Sequence, residues 1–178
     1  LDRDYYLAGK DQDRAADLME AFLDPEVDAV WCSRGGYGCS RILGLLDLDA
    51  IAQTGKMFLG FSDVTILHLA LNKRGLATVH APMTISFSVD REPWVWQSFL
   101  AALQGRAQPS VPAAKCLVPG VSEGILSGGC LCLVTDSLAT KEAFDGTNRI
   151  VLIEDVDEHP HRIDAMLTHL LNSGVLAQ

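Results

Sequence analysis

Several things are scarce in this sequence of 178 residues, and each scarcity removes a class of function. Basic residues are outnumbered, 14 Lys and Arg against 23 Asp and Glu, for a net charge of −9. That balance argues against a nucleic-acid partner and against electrostatic binding to an anionic membrane. Long apolar runs are missing. The longest, around Ile125 to Val134, is interrupted by Ser127, Gly128 and Gly129, well short of the ~18 residues of a membrane-spanning segment. There is no N-terminal Met and no basic-then-apolar leader. The five cysteines (Cys32, Cys39, Cys116, Cys130, Cys132) are odd in number and lie mostly in apolar runs. Cys130-x-Cys132 does not have the spacing of a zinc knuckle or a redox pair, so reduced thiols in a cytoplasmic protein are expected. No H-E-x-x-H, no P-loop, no internal repeat and no low-complexity tract occurs, and no metal or cofactor is expected.

What remains is 48% apolar residues, enough for a real core. Ala15, Leu18, Met19 and Phe22 recur at helical spacing behind Asp11 and Asp13, which predicts a helix over 11–23 that stops at Asp24-Pro25. Val27 to Ser33, Met57 to Phe61 and Leu76 to Val79 read as buried strands. Ile42 to Leu46 and Val64 to Lys73 read as the helices between them. Alternation of strand and helix predicts an α/β fold with a doubly wound, mostly parallel sheet. A helix over Arg91 to Leu103 follows, carrying Trp94, Trp96, Phe99 and Leu100. The segment 105–119, with Pro109, Pro112 and Pro119, reads as a linker. Beyond it come a strand at Ile150 to Ile153 and a helix at Ile163 to Leu171 with Met166, Leu167 and Leu170 inward.

Three places carry chemistry. Gly60-Phe61-Ser62-Asp63 sits at a strand-to-helix junction. A tight turn there exposes a serine and brings the unpaired amides of a helix start near it, half of a nucleophile elbow with Val64 where the second glycine would be. The alternative is an ordinary helix cap. Arg34-Gly35-Gly36-Tyr37-Gly38 follows another strand, where consecutive amides can cradle an anion or simply make a turn. In an open parallel sheet both loops leave the carboxyl edge, where ligands bind. Third is the acidic run Glu154-Asp155-Val156-Asp157-Glu158: one carboxylate can orient a histidine, a group of four can bind a hard cation, and Asp157 and Glu158 fit a solvated loop. Among the histidines, His80 ends a strand on the same edge, while His68 lies too deep in its helix to reach Ser62.

At these residues the chain resembles the LD-carboxypeptidase family of serine peptidases. Tyr6 to Ala15, Val27 to Gly38, Gly60 to Thr65, His80 to Met83, Gly124 to Leu131 and Leu152 to Glu158 carry the resemblance. "RGGYG" followed by "GFSDVT" is its specific part. The resemblance implies a Rossmann-like or flavodoxin-like nucleophile domain over 1–104 lacking its first strand. After the 105–119 linker, it implies the front of a smaller, swivelling-barrel-like α/β domain over 120–178 that carries the triad carboxylate. It implies a Ser-Glu-His triad with Ser62 as nucleophile and Glu154 as carboxylate. The oxyanion hole would be the backbone N–H groups of Asp63 and Gly36. Arg34, Gly35, Tyr37 and His80 would face the substrate. The family's histidine lies in a "GH" segment that matches none of the histidines here, so residues 1–178 alone are expected to be inactive. The implied reaction releases a terminal D-amino acid from cytoplasmic murein tetrapeptide, by a homodimer. The alternatives are hydrolysis of peptide–nucleotide antibiotics, as an immunity function, and a degenerate, non-catalytic relative. Departures from the family pattern are Ala81, Cys130, His161 and Ala165.

Overall fold

The computed structural model describes residues 3–109 and 115–176. Helix α1 (Asp11–Leu23) starts without a side-chain cap, and Asp11 and Asp13 in its first turn face the positive end of its dipole instead. Strands β1 (Ala29–Trp31), β2 (Met57–Gly60) and β3 (Val79–His80) form a parallel sheet in the order β1-β2-β3. Between β1 and β2 run α2 (Cys39–Ile42), a 3-10 turn at Leu43–Leu45, and α3 (Leu48–Gln53). One continuous helix over Ile42 to Leu46 was the expectation. It tightens into the 3-10 turn after Ile42 and ends at Leu46, which is extended, and Asp47 then caps α3, its side chain accepting the Ala50 N–H at 2.9 Å. Helix α4 (Thr65–Asn72) joins β2 to β3, and α5 (Pro93–Leu103) follows β3. All three strands are shorter than the apolar runs that announce them.

Alternation along β2 sends its side chains to two cores. Phe58 packs with Phe22 of α1, Leu48 and Ile51 of α3 and Leu67 and Leu71 of α4. Leu59 faces the other way, with Phe99 of α5 and partly buried Trp31, Met57 and Val79. Helices therefore cover both sides of the sheet, as a parallel sheet requires. Each fully buried side chain such as Phe22 or Phe58 contributes ~1.5–3 kcal/mol.

A second parallel pair, β4 (Ile125–Cys130) and β5 (Arg149–Glu154), lies beyond the proline-rich segment, of which residues 110–114 fall outside the described residues. Helices α6 (Leu131–Asp136) and α7 (Pro160–Asn172) pack around Leu131, Val134, Met166 and Leu170, and Leu69 of α4 completes this core. Leu167, expected inward, is exposed, because Ile163, Met166 and Leu170 take the inward face of α7. The two sheets are fastened together by polar contacts as well. Arg74 grips both oxygens of Glu142 at 2.8 and 3.0 Å, and the guanidinium beside Glu142 holds its carboxyl below the usual range. Among the described residues no helix is long and apolar enough to cross a membrane.

Candidate active site

Ser62 opens a 3-10 turn, Ser62–Val64, between β2 and α4. Its φ is +64°, a left-handed conformation that costs a serine on the order of 1–3 kcal/mol and persists only where the surroundings enforce it. The enforcement is visible. Asp63, buried at 5% exposure, accepts the Cys39 N–H through Oδ2 at 2.9 Å, which fixes the turn to the start of α2. Gly35 lies so close that a Cβ there would stand 3.1 Å from the Ser62 Cβ and 3.2 Å from its Oγ. A side chain at 35 would force the loop or Ser62 to give by a few tenths of an ångström, so glycine lets the loop approach the hydroxyl.

The Arg34–Gly38 loop is anchored from below. Arg14 of α1 donates to the Gly38 carbonyl at 3.2 Å and to Asp11 at 2.5 Å, and Asp11 in turn accepts from Arg41 of α2 at 2.7 Å. The two guanidinium groups hold the Asp11 carboxyl below its ordinary range. Gly36 takes φ +125° in this loop. Arg34 is exposed, and Tyr37 is exposed with its ring tilted against Tyr6 at 5.9 Å.

The acidic run divides as its burial dictates. Glu154, the last residue of β5, is half-buried, and its Oε1 has no hydrogen-bond partner among the described residues. Burial, with Asp155 adding to it, pushes its carboxyl up. His80 at the end of β3 brings Nε2 to 3.7 Å from that oxygen, too far for a hydrogen bond. Burial pushes the His80 imidazole down, so at neutral pH this is a contact between an uncharged ring and a carboxylate rather than an ion pair. Sequence placed His80 on the same edge but gave no reason to pair it with Glu154. Glu158 points elsewhere, 3.6 Å from Arg162 one turn along α7, and Asp157 is exposed. His68 is occupied inside the core, bonded to the Gly60 carbonyl and to Thr78.

Two features were missed in the sequence reading. Thr65, fully buried, accepts the Cys130 N–H at 3.1 Å and so ties the serine turn to β4. The threonine was already visible in "GFSDVT", but nothing local marks its partner. Cys130 and Cys132 bring their sulfurs to 3.3 Å of each other, although their sequence spacing matched no known pair.

A strained serine at a strand-to-helix turn, a glycine loop against its hydroxyl and a half-buried carboxylate on the neighbouring sheet together have the equipment of an α/β hydrolytic enzyme. Comparison with known proteins narrows the class. The profile of the LD-carboxypeptidase N-terminal domain matches residues 1–81, and that of the LD-carboxypeptidase C-terminal domain matches residues 123–178. The chain belongs to the LD-carboxypeptidase family. It is 41% identical over 179 residues to a Bacillus subtilis protein named "Probable murein peptide carboxypeptidase", covering 96% of this chain and 56% of the relative. It is 32% identical over 189 residues to the murein tetrapeptide carboxypeptidase of Pseudomonas aeruginosa, covering 94% of this chain and 58% of the relative. The crystal structure of muramoyltetrapeptide carboxypeptidase from Oxalobacter formigenes superposes with a TM-score of 0.85 at 33% identity, over 98% of this chain and 60% of that one. The structure of MccF in complex with glutamyl sulfamoyl guanosine shares the fold, with a TM-score of 0.81 at 24% identity over 97% of this chain and 62% of that one. The chain thus spans little more than half the length of the curated relatives it matches.

Proposed function

We propose that these residues carry the nucleophile and the carboxylate of a serine carboxypeptidase that releases a terminal D-amino acid from murein tetrapeptide. The observation that carries the reading is Ser62 at φ +64°, with Gly35 against its hydroxyl and the start of a helix behind it. Ser62 Oγ attacks the scissile carbonyl. The proton passes to a histidine of the family's "GH" segment, outside residues 1–178, and Glu154 orients that imidazole. The unpartnered Oε1 of Glu154 is a suitable acceptor for such a ring N–H. Negative charge developing on the carbonyl oxygen is met by the N–H groups of Asp63 and Gly36. The histidine returns its proton to the leaving amine, and water then hydrolyses the acyl-enzyme. Arg34, exposed on the loop, pairs with the free carboxylate that defines a carboxypeptidase substrate; Gly35, Tyr37 and His80 border its path. The murein names of the relatives support this substrate, and the reading includes a cytoplasmic homodimer.

The test is D-alanine release from murein tetrapeptide by the full-length protein that contains these residues, beside Ser62→Ala and Glu154→Gln. Ser62→Ala is expected to lower turnover by ~10³-fold or more. Equal release by wild type and Ser62→Ala refutes the assignment. A panel that adds aminoacyl-nucleotide mimics separates this substrate from the antibiotic-hydrolysing alternative. Residues 1–178 alone are expected to show no turnover above background.

A further inference from the structure

Cys130 ends β4 and Cys132 is the second residue of α6, so the chain turns from strand to helix between them. The turn swings both side chains to one side and leaves their Sγ atoms 3.3 Å apart. Asp155, just past the end of β5, brings Oδ2 to 3.9 Å from the Cys130 sulfur. Both oxygens of that carboxylate are held: Oδ2 accepts the Cys132 N–H at 3.2 Å and Oδ1 the Val156 N–H at 2.8 Å. One donor atom from each of the three residues falls within 4.8 Å of the others.

We propose that Cys130, Cys132 and Asp155 form a binding site for a thiophilic divalent cation of the zinc and cadmium kind, with water completing a tetrahedron. Metal–sulfur bonds of about 2.3 Å and metal–oxygen bonds of about 2.0–2.2 Å require sulfurs ~3.8 Å apart and sulfur–oxygen distances of ~3.5 Å. The sulfur–sulfur separation and that between the Cys130 sulfur and the Asp155 oxygen are each within about half an ångström of that requirement. Two sulfur donors select against magnesium and calcium, which take oxygen. A way in exists, because Cys132 lines a cavity of about 450 Å³ bordered also by Gly36, Tyr37 and Asp63.

The competing use of two adjacent thiols is a disulfide, which needs an oxidant. Binding a dication needs none: two S–H bonds break, two sulfur–metal bonds form, and two protons go to solvent.

The experiment titrates the full, reduced, metal-stripped chain with Cd²⁺, following the ultraviolet thiolate-to-cadmium absorption, with Zn²⁺ as competitor and a pH indicator for proton release. One equivalent is expected, with two protons released per ion. Cys130→Ser/Cys132→Ser abolishes the signal, and Asp155→Asn weakens binding at least tenfold. Cys132→Ser alone, at the less buried position, serves if the double variant does not fold. A variant lacking the other three cysteines, Cys32, Cys39 and Cys116, keeps the site. The proposal is overturned if Cys132→Ser binds like wild type, if the three-cysteine variant loses binding, or if Ca²⁺ competes as well as Zn²⁺.

Discussion

Acidification tests the core between β2 and α4 directly, through His68. Its ring is 3% exposed and packs against Phe58 at 5.2 Å. Nε2 lies 2.8 Å from the Gly60 carbonyl, which can only accept, so Nε2 carries the proton. Nδ1, 2.8 Å from Thr78 Oγ1, then accepts from the threonine hydroxyl, which in turn accepts from Asn72 at 3.1 Å. The neutral ring satisfies every partner. A second proton on Nδ1 would reverse the threonine hydroxyl, leave its hydrogen without an acceptor and bury a charge. Burial accordingly lowers the imidazole from 6.5 to about 4, with the bond to Gly60 opposing that shift. In the unfolded chain the same ring protonates near 6.5. The unfolded state therefore binds the extra proton first, and the stability present above pH 6.5 is lost as pH falls through about 4. The total loss is about 3 kcal/mol, set by the lowering of the imidazole from 6.5 to about 4. The perturbation is His68→Gln, whose amide can still donate to Gly60 but cannot titrate. Urea unfolding followed by tryptophan fluorescence, from pH 7.5 to 4, gives the difference between the two proteins; groups common to both drop out of it. Wild type is expected to be the more stable at pH 7.5 and to lose about 3 kcal/mol relative to the variant by pH 4. A pH-independent difference, or an NMR titration of His68 near 6.5, would refute the reasoning.

Two further outcomes concern the docking of the second sheet. Gly128 takes φ +125° and pairs with Leu152, and a Cβ there would overlap the Leu152 carbonyl oxygen. Gly128→Ala should cost at least ~3 kcal/mol in thermal unfolding, whereas Gly44→Ala, with open space around it, should stay within ~0.5 kcal/mol. Thr65→Val keeps the shape but strands the buried Cys130 N–H, at a cost of ~1–3 kcal/mol. Its D-alanine release should fall further than that of a Gly44→Ala control, and wild-type stability together with wild-type turnover would count against the role given to Thr65.

The parts of this molecule that were legible in the sequence are those fixed by neighbours along the chain. Helix α1 was readable to the residue, because its apolar spacing and acidic first turn are local and Asp24-Pro25 ends it. Strand and helix alternation was readable for the same reason. Strand lengths were not, since an apolar run does not show where pairing stops: Leu76 is buried in the core but lies outside the pairing of β3 with β2. The 3-10 tightening after Ile42 and the Asp47 side-chain bond that starts α3 afresh are reported by no periodicity. At the site, Ser62, Gly35 and the carboxylate run were legible as motifs. The 3.7 Å approach of His80 to Glu154 and the convergence of Cys130, Cys132 and Asp155 were not, because each joins segments more than twenty residues apart.

What holds those segments in place is a short relay that starts at the serine. Ser62 opens the turn that ends where Thr65 begins α4. The Thr65 hydroxyl accepts from Cys130, and a Cβ on Gly129 would come within 2.7 Å of that oxygen, so β4 is pressed onto the helix start with no room for a side chain. Cys130 is in register with Glu154 on β5. Three links therefore separate Ser62 from Glu154, and the one side chain among them is that of the fully buried, β-branched Thr65. The chemistry proposed for Ser62 and Glu154 tolerates about half an ångström of misplacement between its groups. Within the second sheet, backbone pairing of Gly128 and Gly129 with β5 holds Cys130 opposite Glu154, and neither glycine, at φ +125° and +135°, has room for a Cβ.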